Sequence, residues 1–201
     1  MKVWDASIPP EVLYGPQARA AVQTQFAKLL LRADVLASLR SDAVLSEEVR
    51  EVAVQLAQEE DENPVQLDTA AYNVVNEPGQ DSTACRRALR WAEAACRLEP
   101  TNGEFLNTLA LVQYRLAKYQ QARATLDRAE PLNVARFDGP WPRDLALRAM
   151  ILTQQDQPEP ARATLERLRD LLKSPRWSDA ADDKKRQREA ESLLENKKPS
   201  R

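Results

Sequence analysis

The sequence predicts an all-α protein built from paired helices in tandem. Alanine, leucine, glutamate and arginine dominate a chain of 201 residues that has only 4 glycines, and those four types are good helix formers. Apolar positions recur at three- and four-residue steps, the period of a helix face, rather than in the alternation of a strand. Small-residue phrases also return along the chain. The set Ala88, Ala92 and Ala95 comes back as Ala122, Leu126 and Ala129, and again, after a longer interval, as Ala161, Leu165 and Leu168. A period of about 34 residues is the length of one helix–turn–helix unit. Alanine at its first position lets two helices approach closely.

Residues 1–16 contain Pro9, Pro10, Gly15 and Pro16 without periodicity and are expected to be irregular. Region 17–63 reads as helical. A helix over 17–31 carries Val22, Phe26, Leu29 and Leu30 on one stripe. Asp34 is expected to cap a short helix through Val35, Leu36 and Leu39. Ser46 is a candidate N-cap, and Glu47 and Glu48 suit the positive end of a helix dipole. Glu59 to Pro64 stops that helix and predicts a boundary near residue 63.

Three helix pairs are predicted over 64–174. Tyr72 and Val75 lie on the first helix of the first unit, Leu106, Leu109, Ala110 and Tyr114 on that of the second, and Leu145, Ala149 and Leu152 on that of the third. Ala88, Ala92, Ala95, Leu109, Ala110, Ala122, Leu126, Ala129, Ala149, Ala161 and Leu165 are the expected packing positions. The longer second interval is assigned to an enlarged loop over 133–142, which contains Gly139, Pro140 and Pro142. Trp141 and Trp177, both next to prolines, are expected to close ends of the helix stack, and Trp91 to be core or half-buried. Segment 175–201 reads as a capping helix and tail. Ser178 serves as its N-cap, acidic residues come early in it, and Leu193 and Leu194 are ready to dock. Nine or ten helices result.

The chain has no histidine, which removes histidine bases, triads and metal sites. Paired carboxylates such as Asp182-Asp183 and the run 59–62 lack a setting for acid–base chemistry and read as solubilising residues. No catalytic residue, metal or cofactor is expected. Cys85 and Cys96 are eleven residues apart on one expected helix, about 16 Å at ~1.5 Å per residue, too far for a disulfide. Two unpaired thiols suit a reducing compartment. No apolar run approaches the ~20 residues that span a bilayer, and the N-terminus is not a secretory signal. The expected location is the cytoplasm, with no membrane partner. Acidic neighbours and a net charge of −2 argue against nucleic acid at Lys184, Lys185, Arg186 and Arg188.

The phrase Leu106-x-x-Leu109-Ala110 through Tyr119-x-x-Ala122 to Ala129 resembles the tetratricopeptide repeat family, as does Ala88 to Ala95 with Pro100. The likeness covers just over half the chain. It departs from the family pattern at Ala110 and Asn76, where glycine is favoured, and at Tyr114, which falls one residue late. More narrowly, residues 88–98 and 102–109 look like the helical tails of large bacterial proteins with WD40 propellers or serine/threonine kinase domains. Lys2-Val3-Trp4-Asp5 is similar to the end of a WD40 blade. No kinase motif is present, so no kinase activity is implied.

What the resemblance implies is a superhelix whose first helices line a concave groove. Asn73 and Glu77 would face that groove from the first unit, Asn107, Leu111, Tyr114 and Arg115 from the second, and Arg143, Ala146 and Met150 from the third. Such amides and arginines suit the backbone and carboxylates of a bound peptide. The implied function is a non-enzymatic protein-interaction scaffold, the regulatory or targeting tail of a bacterial signalling protein, that captures a peptide or helix of unidentified sequence. The alternative is a structural domain packed on a WD40 propeller or kinase domain, with no separate ligand.

Overall fold

A computed structural model of the chain describes residues 9–177 and 180–197. Helix accounts for 79% of the described residues and no strand occurs among them; the fold is all-α. Eleven helices are described, and the chain divides between Leu67 and Asp68 into two compact units.

The first unit holds α1 (Pro10–Leu13), α2 (Gly15–Leu29), α3 (Arg32–Ser41) and α4 (Glu47–Glu59). Helix therefore begins inside the stretch expected to be irregular, because Pro10 and Pro16 each occupy a first-turn position, where a missing N–H costs nothing. Asp34 lies in the first turn of α3 and does not cap it; the N-cap position is Leu31. Ser46 does cap α4, its hydroxyl accepting from Val49 N at 3.3 Å. Ala18 and Val22 pack with Val35, Leu39, Val49, Val52, Ala53 and Ala57 in one core. Arg50 ties the preceding loop by donating to the carbonyls of Asp42 and Leu45.

The next helix, α5 (Pro64–Val75), crosses the junction between units, and the Asn63 side chain accepts from Gln66 N at its start. The second unit continues with α6 (Ser82–Leu98), α7 (Gly103–Arg115), α8 (Tyr119–Phe137), α9 (Pro142–Gln154), α10 (Pro158–Leu172) and α11 (Ala181–Asn196). Helices α5, α7, α9 and α11 begin at 64, 103, 142 and 181, a constant step of 39. The shorter step from Ala88 to Ala122 is a property of the second helices alone.

The surplus residues are not in a loop. α8 runs through Pro131 to Phe137, and only four residues, 138–141, connect it to α9. Pro131 is exposed, so the carbonyl left without its N–H partner is on the solvent side, where water satisfies it. The C-terminal half of α8 is held by what it packs. Asn133 is fully buried, and Phe137 stacks on Trp141 at 5.2 Å and meets Trp177 edge-on at 6.1 Å.

The turns within units repeat as well. Ala117 and Asp156, separated by the same step as the first helices, both take φ of 57°. Lys118 N donates to Gln113 O at 2.9 Å, and Gln157 N donates to Leu152 O at 3.0 Å. A left-handed residue followed by a six-to-one hydrogen bond is the Schellman ending, formed twice at equivalent positions.

The packing alanines are buried. Ala88, Ala92, Ala95, Ala110, Ala122, Ala129, Ala149 and Ala161 are each 0% exposed, with Leu109, Leu126 and Leu165 buried beside them. Such small side chains allow close contact between α6 and α7, α7 and α8, α8 and α9, and α9 and α10. Cys85 and Cys96 share α6 as free thiols, one buried and one half-buried, and Trp91 is half-buried. No described helix is long and apolar enough to cross a membrane. The expected cap at Ser178 and the opening Lys2 to Asp5 lie outside the described residues.

Candidate functional site

The first helices of the second unit present one face, and α11 lies along it. Asp183, early in α11, sits 3.2 Å from Arg143 Nε at the start of α9. Lys197, just past the end of α11, donates to the carbonyls of Thr153 and Gln154 at the end of α9 at 2.9 and 3.1 Å. Start meets start and end meets end, so α11 runs parallel to α9, the direction expected of a fourth first helix. Its apolar side is narrow: Ala190 and Leu194 are buried and Leu193 is half-buried against the core.

From α11, long side chains reach α7 and the end of α5. Arg115, at the end of α7, donates from Nε to Val75 O at 3.0 Å and grips both carboxylate oxygens of Glu189 in a bidentate pair. Arg186 donates to Asn76 Oδ1 at 2.6 Å, and Lys185 pairs with Glu77. Two guanidinium groups approach the ring of Tyr72 on α5, Arg143 at 4.9 Å and Arg186 at 6.0 Å from its centroid. Each contact is a cation–π arrangement. Arg186 is only 6% exposed, and desolvation holds its pKa below the ordinary guanidinium value. Burial likewise pushes the Asp183 carboxyl up, against the pull of Arg143.

The nine residues expected to face the groove differ in burial, and Glu77 is paired with Lys185 of α11. Arg115 and Arg143 lie on this face, where both are engaged by α11. Asn73 is exposed on α5, one helical turn before Asn76 and Glu77. Asn107, Leu111 and Tyr114 are buried and present no open surface, and neither do Ala146 and Met150, each 0% exposed. The reason is the inward turn of α7 and α9, which are covered on both sides and bury eleven and ten residues respectively.

Asn107 belongs instead to a buried network. Its Nδ2 donates to Asp144 Oδ1 at 2.7 Å, and Asn133 Nδ2 donates to both Asp144 oxygens at 3.1 and 3.0 Å and to Gly103 O at 3.2 Å. α7, α8 and α9 are joined at this one carboxylate. Burial raises its pKa to about 6 despite the two amide donors. Asp68 of α5 is likewise pushed to about 6 by burial, partly offset by its bond with Thr108. Among the described residues no group of three or more histidine, cysteine, aspartate or glutamate side chains is placed to hold a metal ion.

No family model, no curated protein and no solved structure matches this chain. The site is therefore defined by its own geometry. Sequence reasoning alone does not single out Tyr72, Asn76, Asp183, Arg186 and Glu189 for it. A usable signal is present in the step of 39 between helix starts. Pro64, Gly103 and Pro142 open successive first helices, and the same step leads to Ala181. That places α11 in register with the first helices rather than as an unrelated end cap.

Proposed function

We propose that this chain is a non-enzymatic, tetratricopeptide-like scaffold that receives a helical segment of a partner protein along its first-helix face. One observation supports the reading above others: this face already holds a helix, α11, through Arg115, Arg143, Tyr72 and Asn76. Two arginines offer forked donors for carboxylates and an aromatic ring offers a platform for cations, the chemistry by which a helix with charges on one face is seated in a groove. The composition agrees, since a chain with no histidine and 4 glycines has few of the usual means of acid–base or phosphate chemistry.

A photo-cross-linking residue placed at Asn73, beside the face, tests this in extract of the source cells. A second chain carries it at Gln121, exposed on α8. Adducts from position 73 are expected to map to one helix-forming segment of one protein and to vanish when Arg143→Glu is added. Equal adducts from both positions would overturn the assignment.

A further inference from the structure

We infer that α11 is a displaceable occupant of the first-helix face, and that the partner is an amphipathic helix carrying the same pattern of groups. The inference rests on the reading of that face as a helix-binding surface. It adds that the surface is closed by the chain itself and states what must replace the closing helix.

The anchoring of α11 differs in kind from that of its neighbours. α7 and α9 bury long runs of apolar side chains, whereas the buried residues of α11 are Asp183, Arg186, Ala190 and Leu194. Two of these four are charged. The ties it makes to α7 and to the end of α5 are polar: Arg186 to Asn76, Lys185 to Glu77 and Glu189 to Arg115. Lys185–Glu77 is an exposed pair, which contributes little net stability because its charges are well solvated apart, whereas the Arg115–Glu189 pair is largely buried and its attraction is offset by the hydration both charges lose. The buried charges regain hydration when the helix leaves. α11 packs against α9 and α10, the helices nearest in sequence, and its buried apolar residues there are Ala190 and Leu194. A helix held this way belongs to the low-stability end of a domain, where local opening precedes global unfolding.

The occupant also defines the replacement. Counting from Asp183 as position i, carboxylates stand at i and i+6, and apolar residues at i+7 and i+11 are Ala190 and Leu194. On a helix i, i+7 and i+11 share one face, and i+6 lies on the flank, about 100° round from i+7. A partner helix with acids at i and i+6 and small or branched apolar residues at i+7 and i+11 meets Arg143, Arg115 and the apolar strip in the same register.

The full chain carrying Asp183→Arg and Glu189→Arg sets like charges against Arg143 and Arg115. Hydrogen exchange of amides 181–196 is expected to rise at least tenfold, while α7 and α9 amides keep their rates. In the unaltered chain, raising sodium chloride from about 50 mM to about 1 M should move exchange in the same direction, since ionic ties are screened. The probe is a synthetic peptide of residues 180–197, expected to bind the double variant at least tenfold more tightly than it binds the unaltered chain. Unchanged exchange in both experiments would show a fixed cap and overturn displacement alone. Faster exchange throughout 68–177 would make α11 a structural support and overturn it too. Release of α11 without peptide binding would overturn the helix-binding reading itself, and this inference with it.

Discussion

Asn107 on α7 and Asp144 on α9 share a buried 2.7 Å hydrogen bond that joins successive first helices. Read as sequence, the asparagine looks like a groove residue waiting for a peptide. In the fold it satisfies one oxygen of a carboxylate that Asn133 also serves. Asn107→Ala is expected to cost about 0.5–1.5 kcal/mol, the net worth of one hydrogen bond, because Asp144 Oδ1 keeps the donor it has from Asn133. Urea unfolding measures this. A loss below about 0.5 kcal/mol, the low end for the net worth of one hydrogen bond, would mean that the network does not support the stack.

Stability should rise as the solution is acidified from about pH 7 toward pH 5. Asp68 and Asp144 have folded pKa values of about 6 against an ordinary value of 3.8. Between those values the folded state binds more protons than the unfolded state, so stability falls as pH rises through the window. Glu48, Asp81 and Glu191, held below their ordinary values, oppose this only below about pH 5. Calorimetry should record a higher Tm near pH 5 than near pH 7.5, and Asp144→Asn should flatten the profile. A Tm that falls on acidification over this range would contradict the burial of both carboxyls.

Gly103 opens α7 with no room for a side chain. A Cβ there would fall 2.8 Å from Asn133 Cγ and 3.0 Å from Leu132 Cβ. Gly103→Ala should therefore displace Asn133 from Asp144 and cost about 2–4 kcal/mol by overpacking and a broken buried network. The combination with Asn133→Ala should cost less than the sum of the two single changes. Strict additivity in denaturant titrations would refute the clash.

Ala117 takes a left-handed conformation that costs an L-residue about 1–2 kcal/mol. Ala117→Gly should raise stability by up to about 1 kcal/mol, the relief being partly offset by the freer unfolded chain. Gly79, at φ 85°, should show the reverse when replaced by alanine, although nothing would touch the added carbon. Thermal unfolding of the two variants should shift Tm in opposite directions.

Local signals made much of the helical pattern legible. Ser46 announces α4 because capping is a short-range bond, and the alanines of α6, α8 and α10 announce close packing because their spacing is that of one helix face. What escaped depends on distant groups. The stretch from 133 reads as an enlarged loop, yet α8 continues through Pro131 to Phe137 because Asn133 and Phe137 find partners on α7 and α9 and at Trp141. Arg115 and Arg143 were readable as carboxylate receptors. That the carboxylates are Glu189 and Asp183 of the same chain could not be read, since pairing across 74 and 40 residues leaves no local trace.

The outer side of α11 carries Lys184, Arg188, Ser192 and Glu195, all exposed. An array that grows by a fixed translation has no inherent end, and an open apolar terminus would invite the next molecule to continue the series. Head-to-tail addition of that kind does not close and leads to filaments. The mixed charges on this side of α11 make it a poor template for a second copy. The helix that covers the receiving face thus turns a polar, hydrated side outward over the apolar residues it buries.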